Sequence, residues 1–286
     1  MIYIFTALYC EAHPIIQYFG LIRNNQIGHF QVFENRDKGI VLTITGVGSV
    51  AAATAVGSIC TRYEVCERDF LINIGTCAGI FEKEEQGMGD IFLCNKIIDM
   101  TTMRTFYPDV LYRHEFAEAS VYTSVRIIKN DEAVATIAGG LYDMEAAGIY
   151  QAGLRFLGPH QMSFLKIISD AGVEEDITPQ KVEECIKCHM NELGKYVENL
   201  KSIGLLQAQQ ASVLDEAEEQ WVEKVCEDMH CSVVMRNAFG QYVRYCKLAE
   251  IDYKGIMEAM YEGEKLPCNS KREGKKYFEE FLQQIF

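Results

Sequence analysis

Positive charge is scarce in this 286-residue sequence: 27 Lys and Arg face 41 Asp and Glu, a formal net charge of -14. Phosphate backbones and anionic lipid are held by basic groups that release counterions, so neither nucleic acid nor a membrane is expected as a partner. Long apolar runs are also lacking. No window approaches the roughly 18 uncharged residues of a membrane span, and Met1-Ile2-Tyr3-Ile4-Phe5-Thr6-Ala7 carries no basic start of a secretory leader. The expectation is a soluble, cytoplasmic globular protein whose 49% hydrophobic content supports one large core, or one core and a small satellite. There is no internal repeat.

Cysteine is the exception to this scarcity. Eleven cysteines in a chain without an export signal read as reduced, mostly buried thiols. Cys185-Ile186-Lys187-Cys188-His189 matches the pattern of covalent haem attachment, and such a pair can also bind zinc. The segment Pro179 to Leu200, however, has apolar residues at helical spacing, which puts both thiols on the inner face of an amphipathic helix. Cys226 and Cys231 lack a matching second pair. No metal site and no cofactor are expected.

Apolar runs of strand length occur at Ile2 to Ala7, Ile40 to Thr45, Phe70 to Ile74, Ile91 to Cys94 and Phe164 to Ile168. Helical patterns alternate with them at Glu11 to Phe19, Val50 to Tyr63, Met144 to Phe156 and Pro179 to Leu200, the last with Thr178 as its cap. This alternation predicts a three-layer α/β/α fold around a central twisted mixed sheet. From Gln207 the strands stop. Acid-rich helical patterns follow at Ala211 to Met229, Val233 to Ala249, Tyr253 to Tyr261 and Gly274 to Ile285. The division is therefore an α/β domain over 1–206 and an all-helical extension over 207–286.

Two glycine turns follow apolar strands. Thr45-Gly46-Val47-Gly48-Ser49 opens a small-residue helix, a geometry that lets backbone N-H groups approach a ligand. It has neither the third glycine of a dinucleotide fingerprint nor the lysine of a P-loop. The second turn, Asn73-Ile74-Gly75-Thr76-Cys77-Ala78-Gly79, leaves room for a flat ring against the backbone, although tight helix-sheet packing, taken alone, explains either turn better. Three acids stand at strand-to-helix junctions: Glu11 beyond the first strand, Glu145 heading an apolar helix, and Asp170 at a strand tip. That is where an open α/β sheet presents side chains to a ligand crevice. Taken singly, Glu11 could cap a helix, Glu145 could sit in a solvated first turn, and Asp170 could close a strand end.

In order and spacing these pieces resemble the purine nucleoside phosphorylase and 5'-methylthioadenosine/S-adenosylhomocysteine nucleosidase superfamily, nucleosidase branch. The pieces are Ala7-Leu8-Tyr9-Cys10-Glu11, Thr45-Gly46-Val47-Gly48, Asn73 to Gly79, Gly89-Asp90-Ile91, Asp143-Met144-Glu145-Ala146-Ala147 and Ile168-Ser169-Asp170. The resemblance spans about Met1 to Ile203. It implies hydrolysis of the N-glycosidic bond of a purine nucleoside of the 5'-methylthioadenosine, S-adenosylhomocysteine or 5'-deoxyadenosine type. Asp170 would deliver a proton to the departing purine, Glu11 would ready the attacking water, and Glu145 would accept the ribose hydroxyls. Met144 would pack on the sugar, Ser169 would orient Asp170, and Val47, Cys77 and Ala78 would line the pocket. Phe106 would cover the 5' substituent, often across a homodimer.

The sequence also departs from the pattern. Lys166, which the resemblance would place among the substrate-binding residues, stands where similar nucleosidases carry arginine, and the connection between Asp90 and Met144 is shorter than usual for the family. A phosphorylase needs arginines to hold phosphate. The early Gly-Asp-Pro-x-Arg type of motif is missing, which favours water as the acceptor. The alternatives are a phosphorolytic purine nucleoside phosphorylase, or a catalytically lost nucleoside binder whose helical tail docks a partner. Trp221, the one tryptophan, suits a core or an interface equally.

Overall fold

A computed structural model of the chain describes residues 1–66, 68–80, 87–128, 140–172, 177–209 and 213–285. They form two compact units, Met1–Gln207 and Ala208–Phe286.

The first unit is a mixed sheet of ten strands among the described residues, with helices on both faces. Its strands are β1 (Ile2–Thr6), β2 (Ile22–Arg23), β3 (Gln31–Asn35), β4 (Ile40–Ile44) and β5 (Phe70–Ile80). They are followed by β6 (Ile91–Asp99), β7 (Arg104–Phe106), β8 (Ala117–Thr123), β9 (Gly140–Asp143) and β10 (Met162–Asp170). The helices are α1 (Tyr9–Phe19), α2 (Ser49–Arg62), α3 (Ala146–Gly153), α4 (Pro179–Cys188) and α5 (Met190–Gln209). β1 is buried along its whole length because it pairs in parallel with β4 on one side and β5 on the other. β5 pairs successively with β1, β10 and β9, and β10 leads through β6 and β8 back to β9. The pairings thus close five strands, β5, β10, β6, β8 and β9, into a ring.

One apolar layer, containing Phe5, Val56, Phe92, Ile149 and Phe164, lies on the α2 and α3 side. The other, with Ile4, Ile15, Ile72, Ile186 and Leu200, lies on the α1, α4 and α5 side. Alternation along the strands sends successive residues to opposite layers. α1 ends at Gly20 in the left-handed conformation (φ 63°), with the Leu21 N-H returning to the Ile16 carbonyl.

Several sequence expectations need correction. The strand expected to end at Ile74 runs on to Ile80, because its second half is paired by β9 and β10. The helix expected from Met144 to Phe156 is only Ala146–Gly153. Strands β2, β3, β7, β8 and β9 were absent from the sequence reading. All but β3 and β8 are four residues or shorter, which leaves too little alternation to detect. The single helix expected over Pro179 to Leu200 is two, broken at His189. Cys185 is half-buried and Cys188 is exposed, so the two thiols do not both face inward.

The second unit is helical: α6 (Glu216–Asp228), α7 (Val233–Leu248), α8 (Tyr253–Glu262) and α9 (Lys271–Ile285). Positions 211 and 212 of its first expected helix lie outside the described residues. Phe239 and Phe281 are fully buried at its centre, among Met229, Val243 and Met257. Trp221 packs against Phe239 and Tyr253, as part of this core. Side chains of Asp215, Ser232 and Asp252 cap α6, α7 and α8. No described helix is long and apolar enough to cross a membrane.

Candidate active site

The carboxylates collect at the strand tips of the first unit. Glu11, in the first turn of α1, is 3% exposed and accepts four hydrogen bonds. Its Oε2 takes the Ala7 N-H (2.9 Å) and Leu8 N-H (3.0 Å). Its Oε1 takes the Thr76 N-H (2.7 Å) and the Thr76 hydroxyl (2.9 Å). A carboxylate has about four acceptor positions. Glu11 therefore caps its own helix and is tied to β5 at once. A further acceptor position opens only when the Thr76 hydroxyl rotates away.

Asp170 ends β10, in register with Ala78 of β5. Its Oδ2 accepts the Ser169 hydroxyl (2.9 Å) and its Oδ1 the Gly172 N-H (2.8 Å), while Ser169 also reaches the Cys77 carbonyl (3.3 Å). Glu11 on Thr76 and Asp170 beside Ala78 thus border one short stretch of β5. Glu145, the residue that begins α3, points its Oε1 at the Gly48 N-H, 2.8 Å away. This N-H opens α2, where helix dipole and free amide favour a carboxylate. Gly46 and Gly48 both take positive φ (80° and 99°), conformations that a side chain would strain. The two helix starts touch backbone to backbone. The Ser49 hydroxyl donates to the Met144 carbonyl (2.9 Å), and a Cβ on Gly148 would lie 2.3 Å from the Ser49 carbonyl oxygen.

Behind these acids lies an ion pair with almost no access to water. Lys166 of β10 is 1% exposed and contacts Oδ2 of Asp143 at 2.7 Å. Asp143 also accepts the Thr123 hydroxyl (2.7 Å) and the Ala146 N-H (2.8 Å). A Cβ on Gly75 would lie 3.2 Å from Oε1 of Glu11 and 3.6 Å from Nζ of Lys166, so both groups border the same spot on β5. Burial alone would lower the Lys166 ammonium, but the Asp143 and Glu145 carboxylates outweigh it and hold it above its usual range. Glu145 is pushed up to about 7, first by burial and then by Asp143, against the opposing pull of Lys166 and the Gly48 N-H.

The remaining expected site residues are dispersed. Val47 is about half exposed on its turn, Met144 is half-buried, and Ala78 is half-buried beside Tyr142. Cys77 turns its thiol into the core, 3.5 Å from the Ile167 carbonyl oxygen, where burial pushes it well above its usual range. Alternation along β5 makes Thr76 the neighbour that faces Glu11. Phe106 is buried on Tyr150, with the Arg104 guanidinium over its ring. Thr76 and Asp143 were missed by the sequence reading. For Asp143 a signal existed: a lysine inside the apolar run Phe164 to Ile168 requires a buried acid. Among the described residues no group of three metal-ligating side chains occurs.

This fold is shared with solved nucleosidase and futalosine hydrolase structures. No family model and no curated protein matches the chain by sequence. Within that fold it is similar to a 5'-methylthioadenosine/S-adenosylhomocysteine nucleosidase from Neisseria meningitidis in complex with methylthio-immucillin-A. The identity is 18% and the TM-score 0.55, over 70% of this chain and 98% of that one. The corresponding nucleosidase of S. pneumoniae gives 18% and 0.55, over 71% and 99%. A futalosine hydrolase mutant of Helicobacter pylori gives 14% and 0.54, over 69% and 98%.

Proposed function

We propose that the first unit is a nucleosidase that hydrolyses the N-glycosidic bond of a purine nucleoside of the 5'-methylthioadenosine, S-adenosylhomocysteine or 5'-deoxyadenosine type. The observation that carries this reading is the convergence of Glu11, Glu145 and Asp170 around one stretch of β5 and the start of α2. Cleavage of such a bond passes through an oxocarbenium-like ribosyl group, so an acid must serve the leaving base while water is activated on the opposite face.

Asp170, steadied by Ser169 and the Gly172 N-H, is assigned to the base. Glu11 is assigned to the water, with the Thr76 hydroxyl swinging from carboxylate to water as the water binds. Glu145 is assigned to the ribose hydroxyls. Phosphate is disfavoured because Lys166, the cation bordering the acids, is already neutralised by Asp143. A homodimer belongs to the same reading. Leu8, Tyr9, Val47 and Val50 are exposed apolar side chains on the segments that carry the site, a surface suited to cover by a second copy.

The test is a panel of methylthioadenosine, S-adenosylhomocysteine, 5'-deoxyadenosine, adenosine and inosine, each with and without phosphate. Release of free base and free sugar without phosphate is expected for at least one of the first three. A ribose 1-phosphate product, or no cleavage of any member, overturns the reading; sedimentation velocity decides the dimer.

A further inference from the structure

We propose that Asp143 is the positioning residue of this site: it seats the start of α3 so that Glu145 faces Gly48, and it pins Lys166 as a counter-charge beside Glu145 and Glu11. The inference rests on the nucleosidase reading only for its consequence in turnover; the geometry stands independently.

Asp143 does two jobs with one carboxylate. Its Oδ2 accepts the Ala146 N-H, an otherwise free donor in the first turn of α3, and the Lys166 ammonium as well. Its Oδ1 holds the Thr123 hydroxyl, whose oxygen accepts the Ala147 N-H at 3.0 Å. The start of α3 is therefore fastened to β8, β9 and β10 together, and Glu145 is fixed at its head.

The charges around Glu145 come from every element packed against it. Asp143 approaches from β9, Lys166 from β10, Glu11 from α1, and the Gly48 N-H from α2. Around Lys166 stand the buried thiols of Cys94 on β6 and Cys77 on β5. Three carboxylates and one ammonium leave the cluster short of positive charge, and in a buried setting that shortage falls on Glu145. Asp143 raises the affinity of Glu145 for a proton, and Lys166 lowers it. The two halves of one ion pair thus act on Glu145 in opposite directions.

The titration of Glu145 is read directly, by carboxyl carbon NMR of protein labelled at glutamate Cδ, with Glu145→Gln assigning the signal. Asp143→Asn keeps an oxygen for the Ala146 N-H and removes the charge; the Glu145 midpoint should fall by about one pH unit or more. Lys166→Met should move it the other way. Either single variant leaves a buried group unpaired and threatens the fold. The double variant Asp143→Asn/Lys166→Met removes both charges at similar volume, and its midpoint should lie below the wild type and above Asp143→Asn. Under the nucleosidase reading, the acid limb of kcat/KM should move with the midpoint in each case.

A midpoint unchanged in the double variant, or shifts of the same sign in the two singles, overturns the proposal. Shifted midpoints in a protein that cleaves no nucleoside would sustain the positioning role and remove the nucleosidase reading. Cleavage with an immobile midpoint would do the reverse.

Discussion

Each unit buries one glutamate of particular interest, and the two are treated in opposite ways. Glu145, in the α/β unit, meets one backbone N-H, two neighbouring carboxylates and an ammonium already committed elsewhere; it is pushed up to about 7. Glu218, in the helical unit, accepts the Asp215 N-H (2.9 Å), the Tyr253 hydroxyl (3.0 Å), the Lys254 ammonium (3.4 Å) and the Lys247 ammonium. The Lys247 bond first, then the Asp215 N-H, hold it well below the usual carboxylate range. Glu218 is satisfied and structural, closing a reciprocal cap with Asp215. Glu145 is left wanting donors. A buried acid kept short of donors has acceptor positions left for a ligand.

The largest effect that would sharpen this contrast is on turnover. Asp170→Asn should lower kcat by about 10²- to 10⁴-fold while nucleoside binding persists, whereas Glu218→Gln should leave kcat unchanged. Full activity in Asp170→Asn would remove Asp170 from its assigned role. Next comes the core of the helical unit. Phe281→Ala deletes a fully buried ring and should cost about 3–5 kcal/mol in guanidinium unfolding. Trp221, the only tryptophan, reports that transition by fluorescence. A loss under about 1 kcal/mol would show that this core collapses around the cavity.

Glu145→Gln tests the acid itself. A carboxyl raised in the folded state lends stability below its unfolded value near 4.5 and loses that contribution as pH rises through about 7. The variant should gain on the wild type by up to about 3 kcal/mol at pH 8 and nothing at pH 4. Equal melting profiles across that range would mean Glu145 is not proton-loaded by its surroundings. For Glu218 the sign reverses: its contribution is present above about 4.5 and disappears as pH falls below it. Glu218→Gln should therefore have a lower Tm than the wild type at pH 7, with the two converging on acidification. Smallest of all, Asp215→Ala removes the cap of α6 and should cost about 1 kcal/mol, visible as a modest Tm loss.

The layered fold was legible because its central strands are mostly apolar and separated by helical periods, as Ile2 to Thr6 and Phe164 to Ile168 illustrate. The edge and ring-closing strands escaped because their residues are set by partners distant in sequence: β9 is four residues that pair with Ala78 to Ile80 and with Val121 to Thr123. At the site, Glu11, Glu145 and Asp170 stood out as acids at junctions. Which side chain of β5 faces Glu11 was not readable. Had β5 ended at Ile74, Thr76 and Cys77 would lie in a loop with no fixed alternation; the continued strand sends Thr76 one way and Cys77 the other. Asp143 was overlooked for a similar reason, since its importance lies in Lys166, on the next strand of the sequence but not its ladder neighbour.

The three successive partners of β5 also bear on synthesis. As the chain leaves the ribosome, residues 70–80 find only β1 available, and the rest of their hydrogen-bonding edge waits for residues 140–143 and 162–170 to emerge. Pairings so distant are slow to form. Throughout that stretch of translation the nascent polypeptide displays an open apolar ribbon, the interval in which self-association competes most strongly with completion.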